Sequence, residues 1–92
     1  MKIYVIHLAR NILQDEHNKR VYESSILFVG FFTELETAKK VVEENWGDLC
    51  ECGYYHYAII EEIHEGLYAF FENPLIYKWE GTIEDGKYQQ LK

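Results

Sequence analysis

The sequence predicts an α+β fold in which an antiparallel sheet of about four to five strands packs one face against one main helix, in the order β-β-α-β-β-β. Three observations predict it. Hydrophobic residues make up 48% of the 92 residues, too many for a disordered chain. Several segments combine β-branched and aromatic side chains, as strands do, while residues 33–46 repeat their apolar positions at helical spacing. The length predicts one domain over residues 1–92.

The first half begins with two strands that we expect to pair antiparallel. Residues 2–9, KIYVIHLA, are rich in β-branched and aromatic side chains, which is typical of a strand. Residues 10–20 are polar and predict the loop of a wide hairpin, and residues 21–32 predict a long second strand. Gly30 lies inside this strand, where an isolated glycine indicates a possible β-bulge.

Residues 33–46, TELETAKKVVEENW, predict the helix. Thr33 and Glu36 have the spacing of a capping box, in which the hydroxyl and the carboxylate accept hydrogen bonds from amides of the first turn. Gly47 is placed to end the helix, since glycine readily adopts a positive φ. The apolar residues recur along one side and predict a single buried face: Leu35, Ala38, Val41, Val42 and Trp46.

The second half predicts further strands joined by short turns. Residues 54–63, YYHYAIIEEI, form the third strand, and residues 64–66 offer a turn. Residues 67–71 resume an extended apolar pattern. Residues 75–91 predict a terminal hairpin, in which Asp85–Gly86 would supply the positive φ angles of a tight turn.

The predicted strands lack a clean alternation of apolar and polar residues, which indicates a sheet that is apolar on both faces. Successive side chains of a strand point to opposite faces. In the second strand one set is Ile26, Phe28 and Phe32, and the other is Leu27, Val29 and Phe31. In the third strand one set is Tyr55, Tyr57 and Ile59, and the other is Tyr54, Ala58 and Ile60. A single helix covers only one of these two faces.

Something must then cover the second face: the C-terminal hairpin, a second copy of this chain, or a different protein. We favour a homodimer, because a large open apolar patch is uncommon on soluble monomers. Tyrosine and tryptophan combine a large apolar area with a polar group and are enriched in interface cores. The candidate interface residues are therefore aromatic: Phe28, Tyr54, Tyr55, Tyr57, Tyr77 and Trp79.

The formal net charge is −7, and the excess acid lies in the second half of the chain. Residues 1–42 contain six Lys or Arg and five Asp or Glu, whereas residues 43–92 contain three and eleven. Direct nucleic-acid binding needs a basic surface, so this balance argues against it. It favours a basic protein partner. It also leaves open an acidic inhibitor whose carboxylates imitate phosphates for a nucleic-acid-binding enzyme.

The sequence predicts a cytoplasmic protein without a membrane segment. Apolar runs such as residues 26–32 are too short to cross a membrane, and the N-terminal residues reach charge too soon for a signal-peptide core. Cys50 and Cys52 are separated by one residue, which is too close for an ordinary structural disulfide and favours reduced thiols.

A small metal-binding or enzymatic protein is the alternative interpretation of the same region. Cys50, Cys52, His56 and His64, or His7 as the fourth, could supply ligands. Structural zinc normally takes C-x(2–4)-C pairs followed by a second pair, and C-x-C with scattered histidines matches this poorly. The sequence contains no nucleophile elbow, Gly-rich phosphate loop or HExxH motif. We therefore expect a non-catalytic protein without a metal or cofactor.

Three stretches together resemble a family of small uncharacterised bacterial or phage domains: YVIHL, VGFFTELETAKKVVEE and GYYHYAIIEEIHEGLY. The members share a strand that begins Tyr-Val-x-His and a Gly-aromatic strand end that leads into a Ser/Thr-capped acidic helix. The resemblance covers residues 3–70, and the chain departs from the family pattern after the helix, at WGDLCECG. It implies an α+β fold and a bacterial or phage origin, with no activity or catalytic residue to transfer.

Overall fold

The computed structural model describes residues 2–10, 12–14, 20–22, 26–66 and 74–91. Within these residues, one helix packs against an open antiparallel sheet of five strands, which confirms the predicted α+β fold. A separate two-stranded sheet is also present in the described part. The elements are β1 Ile3–Ala9, β2 Ile12–Gln14, β3 Arg20–Tyr22, β4 Ile26–Phe32, α1 Leu35–Glu43, β5 Tyr57–Ile63, β6 Leu75–Glu80 and β7 Lys87–Gln90.

The main sheet has the strand order β4-β1-β5-β6-β7. Every neighbouring pair is antiparallel, and β1 has a partner on each side. Taken along the chain, these strands and α1 follow the predicted β-β-α-β-β-β order. The C-terminal hairpin of β6 and β7 extends the sheet at one edge. Folding of this hairpin over the second face, one of the expected covers, is therefore wrong.

The predicted boundaries of the first two strands differ from those observed. Part of the predicted loop at residues 10–20 forms β2, which pairs with β3. The predicted second strand at residues 21–32 is divided, since residues 21 and 22 belong to β3 and β4 begins at Ile26. The β2 and β3 residues include Val, Ile and Tyr, which favour strand pairing. The extended segment expected at residues 67–71 lies outside the described residues.

A β-bulge interrupts the pairing of β4 with β1 next to the predicted glycine. Ile6 lies opposite Gly30, whereas the next residue, His7, lies opposite Phe28. Val29 is therefore the extra residue on β4. Such a residue shifts the alternation of side chains by one position.

This shift changes which β4 side chains share a face. Phe28 lies opposite His7 and Phe31 lies opposite Val5, and both of these β1 residues point away from α1. Strict alternation had placed Phe28 and Phe31 on opposite faces, which is wrong because of the bulge. Both phenylalanines belong to the second face, which is the sheet face that does not contact α1.

The helix begins at Leu35, two residues later than predicted, and the expected capping box is absent. Glu34 is the N-cap residue, with extended backbone angles and no side-chain capping bond. Thr33 therefore precedes the cap, too early for the capping-box position. Glu36 lies in the first turn, where its carboxylate interacts favourably with the helix dipole.

The helix ends before the predicted Gly47. Asn45 adopts a φ of 51°, and its N–H donates to the Val42 carbonyl. The Trp46 N–H donates to the Val41 carbonyl over 3.0 Å, which completes a Schellman motif. Asn45 thus ends the helix. Trp46 was predicted to continue the buried apolar stripe, which is wrong because it lies beyond the helix with 48% of its surface exposed.

The core lies between α1 and the helix face of the sheet, which is the face that contacts α1. Burial of these apolar side chains is the main stabilising term of so small a domain. Its buried members are Ile6, Leu8, Ala38, Val41, Val42, Cys50, Ala58, Ile60, Tyr77, Trp79 and Tyr88.

The loop between β6 and β7 does not have the predicted turn geometry. Gly81 carries the positive φ, at 106°, and neither Asp85 nor Gly86 does. Gly86 is needed for space instead, because a Cβ built there would lie 2.5 Å from Trp79 Nε1.

Replacement of Gly86 by alanine should destabilise the protein. We expect Gly86→Ala to lower the free energy of unfolding by about 2 kcal/mol, because the added methyl group overlaps the Trp79 ring. Gly30→Ala is the control, since a Cβ there meets nothing within 4 Å, and we expect a change below about 0.5 kcal/mol. Urea unfolding measures both. Equal stability of the two variants would contradict the packing role of Gly86.

Candidate interaction surface

The centre of the second face is already covered within this chain. Ala9 and Ile59 are fully buried and Ile76 is 5% exposed, although all three lie on the face away from α1. At its centre this face therefore needs no cover from a second copy or another protein, which the apolar pattern alone had led us to favour. Among the residues whose exposure the structure describes, the large exposed apolar side chains of this face lie on β4.

Strand β4 exposes apolar side chains on both sides. Phe28 and Phe31 are each 56% exposed on the second face. Leu27, opposite Leu8, is 41% exposed, and the bulged Val29 is 39% exposed. No residue from Ile26 to Phe32 carries a charge. Exposed and uncharged strands of this kind mark sites where partners bind.

The imidazole of His7 extends this surface without adding charge. Its ring lies edge-on to Phe28, with 6.0 Å between the ring centroids. Burial lowers the pKa of His7 below its ordinary value, because the imidazolium form loses hydration there. At neutral pH this side chain is therefore uncharged beside the phenylalanine.

We call the set Leu27, Phe28, Val29 and Phe31 the β4 patch. The predicted interface included only Phe28 of these four residues. The glycine in VGFF was the signal that could have found Phe31, because a bulge beside Gly30 brings both phenylalanines to one face. The position of the bulge follows from the pairing with β1, and the residues of β4 alone do not determine it.

Two of the predicted interface residues lie inside the core. Tyr77 is fully buried and Trp79 is 6% exposed. The Trp79 ring packs edge-on against Tyr88 with centroids 5.1 Å apart. These side chains stabilise the single chain and present no surface to a partner.

The remaining candidates are divided between different surfaces. Tyr57 is partly buried on the second face, packed against Ile59 and its neighbours. Tyr55 is partly buried against the helix-face core. Tyr54 is 49% exposed, and the Arg10 guanidinium lies 4.6 Å from its ring centroid. The three tyrosines therefore do not form one surface with the β4 patch.

The loop after the helix holds the two cysteines in place. Asn45 Oδ1 accepts a hydrogen bond from the Cys50 N–H over 3.0 Å, and Asn45 Nδ2 lies 3.5 Å from Cys50 Sγ. The Asp48 carboxylate accepts from Cys50 Sγ at 3.5 Å and from Cys52 Sγ at 3.9 Å. Cys50 is buried and Cys52 is exposed. Cys50 thus serves as a small packed side chain.

The candidate metal ligands are not brought together. His56 and His64 flank β5, so roughly 25 Å separates them at about 3.3 Å per strand residue. One ion cannot contact both side chains. In the described part of the chain, no group of three or more His, Cys, Asp or Glu side chains is arranged to hold a metal.

Part of the acidic second half gathers where two loops touch. A Cβ built at Gly53 would lie 3.6 Å from Ile83 Cγ1, which brings the loop after α1 against the loop between β6 and β7. Exposed carboxylates occur on both loops: Asp48, Glu51, Glu84 and Asp85. Binding of a basic protein at these carboxylates stays a prediction. So does binding of a nucleic-acid enzyme that would take the carboxylates in place of phosphates.

The chain was compared with models of protein families, with curated proteins and with solved structures, and none of the three comparisons found a match. The resemblance to small bacterial or phage domains therefore stays a prediction. No helix in the described ranges is both long enough and apolar enough to span a membrane.

Two buried tyrosine hydroxyls link the stability of this region to pH. The Tyr77 hydroxyl donates to Glu43 Oε2 over 3.1 Å, and the Tyr88 hydroxyl donates to the Tyr55 carbonyl over 2.7 Å. Burial raises the pKa of Tyr77 most, and the Glu43 carboxylate adds to it. Burial also raises the pKa of Tyr88 most, and electrostatic repulsion from the side chains of Cys50 and Asp48 adds to the shift.

We expect the free energy of unfolding to fall above about pH 10. Below that value tyrosine is protonated in both states, whereas above it the unfolded chain releases protons that the folded chain retains. Each buried tyrosine then lowers stability by about 1.4 kcal/mol per pH unit. Tyr77→Phe and Tyr88→Phe should each make this fall shallower. Urea unfolding from pH 8 to 11 measures it, and identical slopes in all three proteins would contradict it.

The role of Asn45 can be separated into backbone and side-chain parts. Asn45→Gly keeps the positive φ and loses the bonds to Cys50, so we expect a cost of about 1 kcal/mol. Asn45→Ala also strains the backbone, and we expect about 2 kcal/mol. Thermal and urea unfolding give both values. If alanine is tolerated as well as glycine, the left-handed backbone is not what Asn45 supplies.

Proposed function

We propose that this protein is a small, acidic, non-catalytic interaction domain that self-associates through the β4 patch. The observation that carries this proposal is the pair Phe28 and Phe31, both more than half exposed on one face of an uncharged strand. Water contact with large aromatic rings is unfavourable, so burial against a partner releases free energy.

The energetics support a reversible dimer. At 56% exposure, burial of each ring would remove roughly 100 Å² from water, or about 2.5 kcal/mol at about 25 cal/mol per Å². Two rings on each of two copies give roughly 10 kcal/mol, against association costs of about 4–15 kcal/mol. At the low end of these costs the net gain is about 6 kcal/mol, so we expect a dissociation constant between about tens of micromolar and the millimolar range.

The arrangement of the titratable side chains supports a non-catalytic role. Catalysis needs a nucleophile, a base and an orienting group within hydrogen-bond reach of one another. Cys50 is buried under Asn45, while His56 and His64 lie at opposite ends of β5. The two histidines are thus separated from each other by the length of β5.

Sedimentation tests the proposal. We expect the wild-type sedimentation coefficient to rise with concentration, and Phe28→Asp and Phe31→Asp to remain monomeric, because each buries a carboxylate in the interface. Ile83→Asp is the matched control: this isoleucine is 61% exposed at a different end of the sheet, and the variant should dimerise as wild type does. A circular dichroism spectrum confirms the fold of each variant.

Two results would contradict self-association through this patch. One is a wild-type protein that stays monomeric at millimolar concentration. The other is a folded Phe28→Asp or Phe31→Asp variant whose sedimentation matches wild type at every concentration.

A further inference from the structure

We propose that β4 pairs edge to edge with β4 of a second copy, antiparallel, so that Phe28 of each copy lies opposite Phe31 of the other. This inference rests on the proposed self-association and specifies its geometry. The two five-stranded sheets then continue as one sheet across a two-fold axis.

The two edges of the sheet differ in their suitability for pairing. β7 carries Lys87, Gln89 and Gln90 as exposed side chains, and a charged, polar edge of this kind resists further strands. Among the described strands, β4 pairs with β1 alone, and none of them lies beside its other edge. The outer edge of β4 is long, apolar and uncharged, which is the combination that accepts another strand.

The bulge makes β4 complementary to itself. Phe28 and Phe31 share one face although three positions separate them. With the two-fold axis between Val29 and Gly30, each Phe28 lies opposite the other copy's Phe31. Both copies carry the same extra residue between Phe28 and Phe31. The side chains that lie opposite each other therefore still point to the same face of the joined sheet. An interface about a two-fold axis requires this self-complementarity.

The helix face agrees with the same register. Leu27 lies opposite Leu8 and Phe32 lies opposite Tyr4 on β1, both on the side that contacts α1. The proposed register sets Leu27 of each copy against Phe32 of the other, so apolar side chains meet on both faces of the joined sheet. Aromatic and aliphatic residues directly opposite each other are favourable cross-strand pairs.

The charge distribution permits a second copy of this chain along β4. Two copies that each carry −7 repel one another over most of their surfaces. The paired segment is the exception, since the first charged residue after β4 is Glu34, beyond the last paired position. Self-pairing along β4 therefore places no like charges opposite each other.

The buried area requires strand pairing in addition to ring contact. At 56% exposure, the two phenylalanines of both copies bury roughly 400 Å² together, about a quarter of a standard interface. Hydrogen bonds between two strand edges supply further contact along the whole of β4. Edge pairing thus accounts for stable association better than ring stacking alone.

Disulfide trapping tests the register. The two cysteine substitutions, at positions 28 and 31, are made in a Cys52→Ser protein, because Cys52 is the exposed native thiol and Cys50 is buried. Phe28→Cys and Phe31→Cys are each oxidised alone and as an equal mixture, and the linked peptides are identified by mass spectrometry. We expect the mixture to give at least five times more cross-linked dimer, with position 28 joined to position 31. Disulfides need Cα atoms within about 7 Å, which like positions do not reach in this register.

A second pair of variants tests the edge itself. Val29 is the bulged residue, and it has no partner in the β1 register. Val29→Lys should abolish the dimer by adding a charge to the edge, whereas the similarly shaped Val29→Thr should retain it. Edge pairing is wrong if wild type and Val29→Lys both dimerise. It is also wrong if each cysteine variant cross-links alone as well as in the mixture. Either result leaves self-association itself standing. A monomeric wild type overturns both.

Discussion

The central strand β1 is the constraint on which the rest of this structure depends. It pairs on both sides, and its side chains are buried alternately on the two faces of the sheet: Val5, Ile6, Leu8 and Ala9. A slip of one residue in either pairing would exchange the two sets. The register of β1 therefore fixes which residues of its neighbours enter the helix-face core and which enter the second face.

The bulge in β4 follows from this constraint and decides the character of the surface. The segment ILFVGFF is apolar at every position except the glycine, so hydrophobicity alone gives it no preferred register. Pairing with β1 inserts one extra residue at Val29 and brings Phe28 and Phe31 to the same face. The bulge thus places two exposed rings on one face, and the proposed function rests on these rings.

The region rich in Cys, His and Tyr joins the helix to the sheet. Asn45 ends the helix and holds the backbone of Cys50, whose carbonyl accepts from the Tyr55 N–H. Tyr88 on β7 then donates to the Tyr55 carbonyl. This chain of bonds gives Asn45, Cys50, Tyr55 and Tyr88 a shared role in packing the loop after the helix against the sheet.

The sequence by itself determined the fold class, the first strand, the helix core and the presence of apolar residues on both sheet faces. These features follow from side-chain periodicity within single segments, which neighbouring residues alone set. Only the tertiary structure decided that Tyr77 and Trp79 are core residues, that β4 is an edge, and that Phe31 joins Phe28. Strand order and register depend on pairing between residues far apart in the chain, so no local pattern contains them.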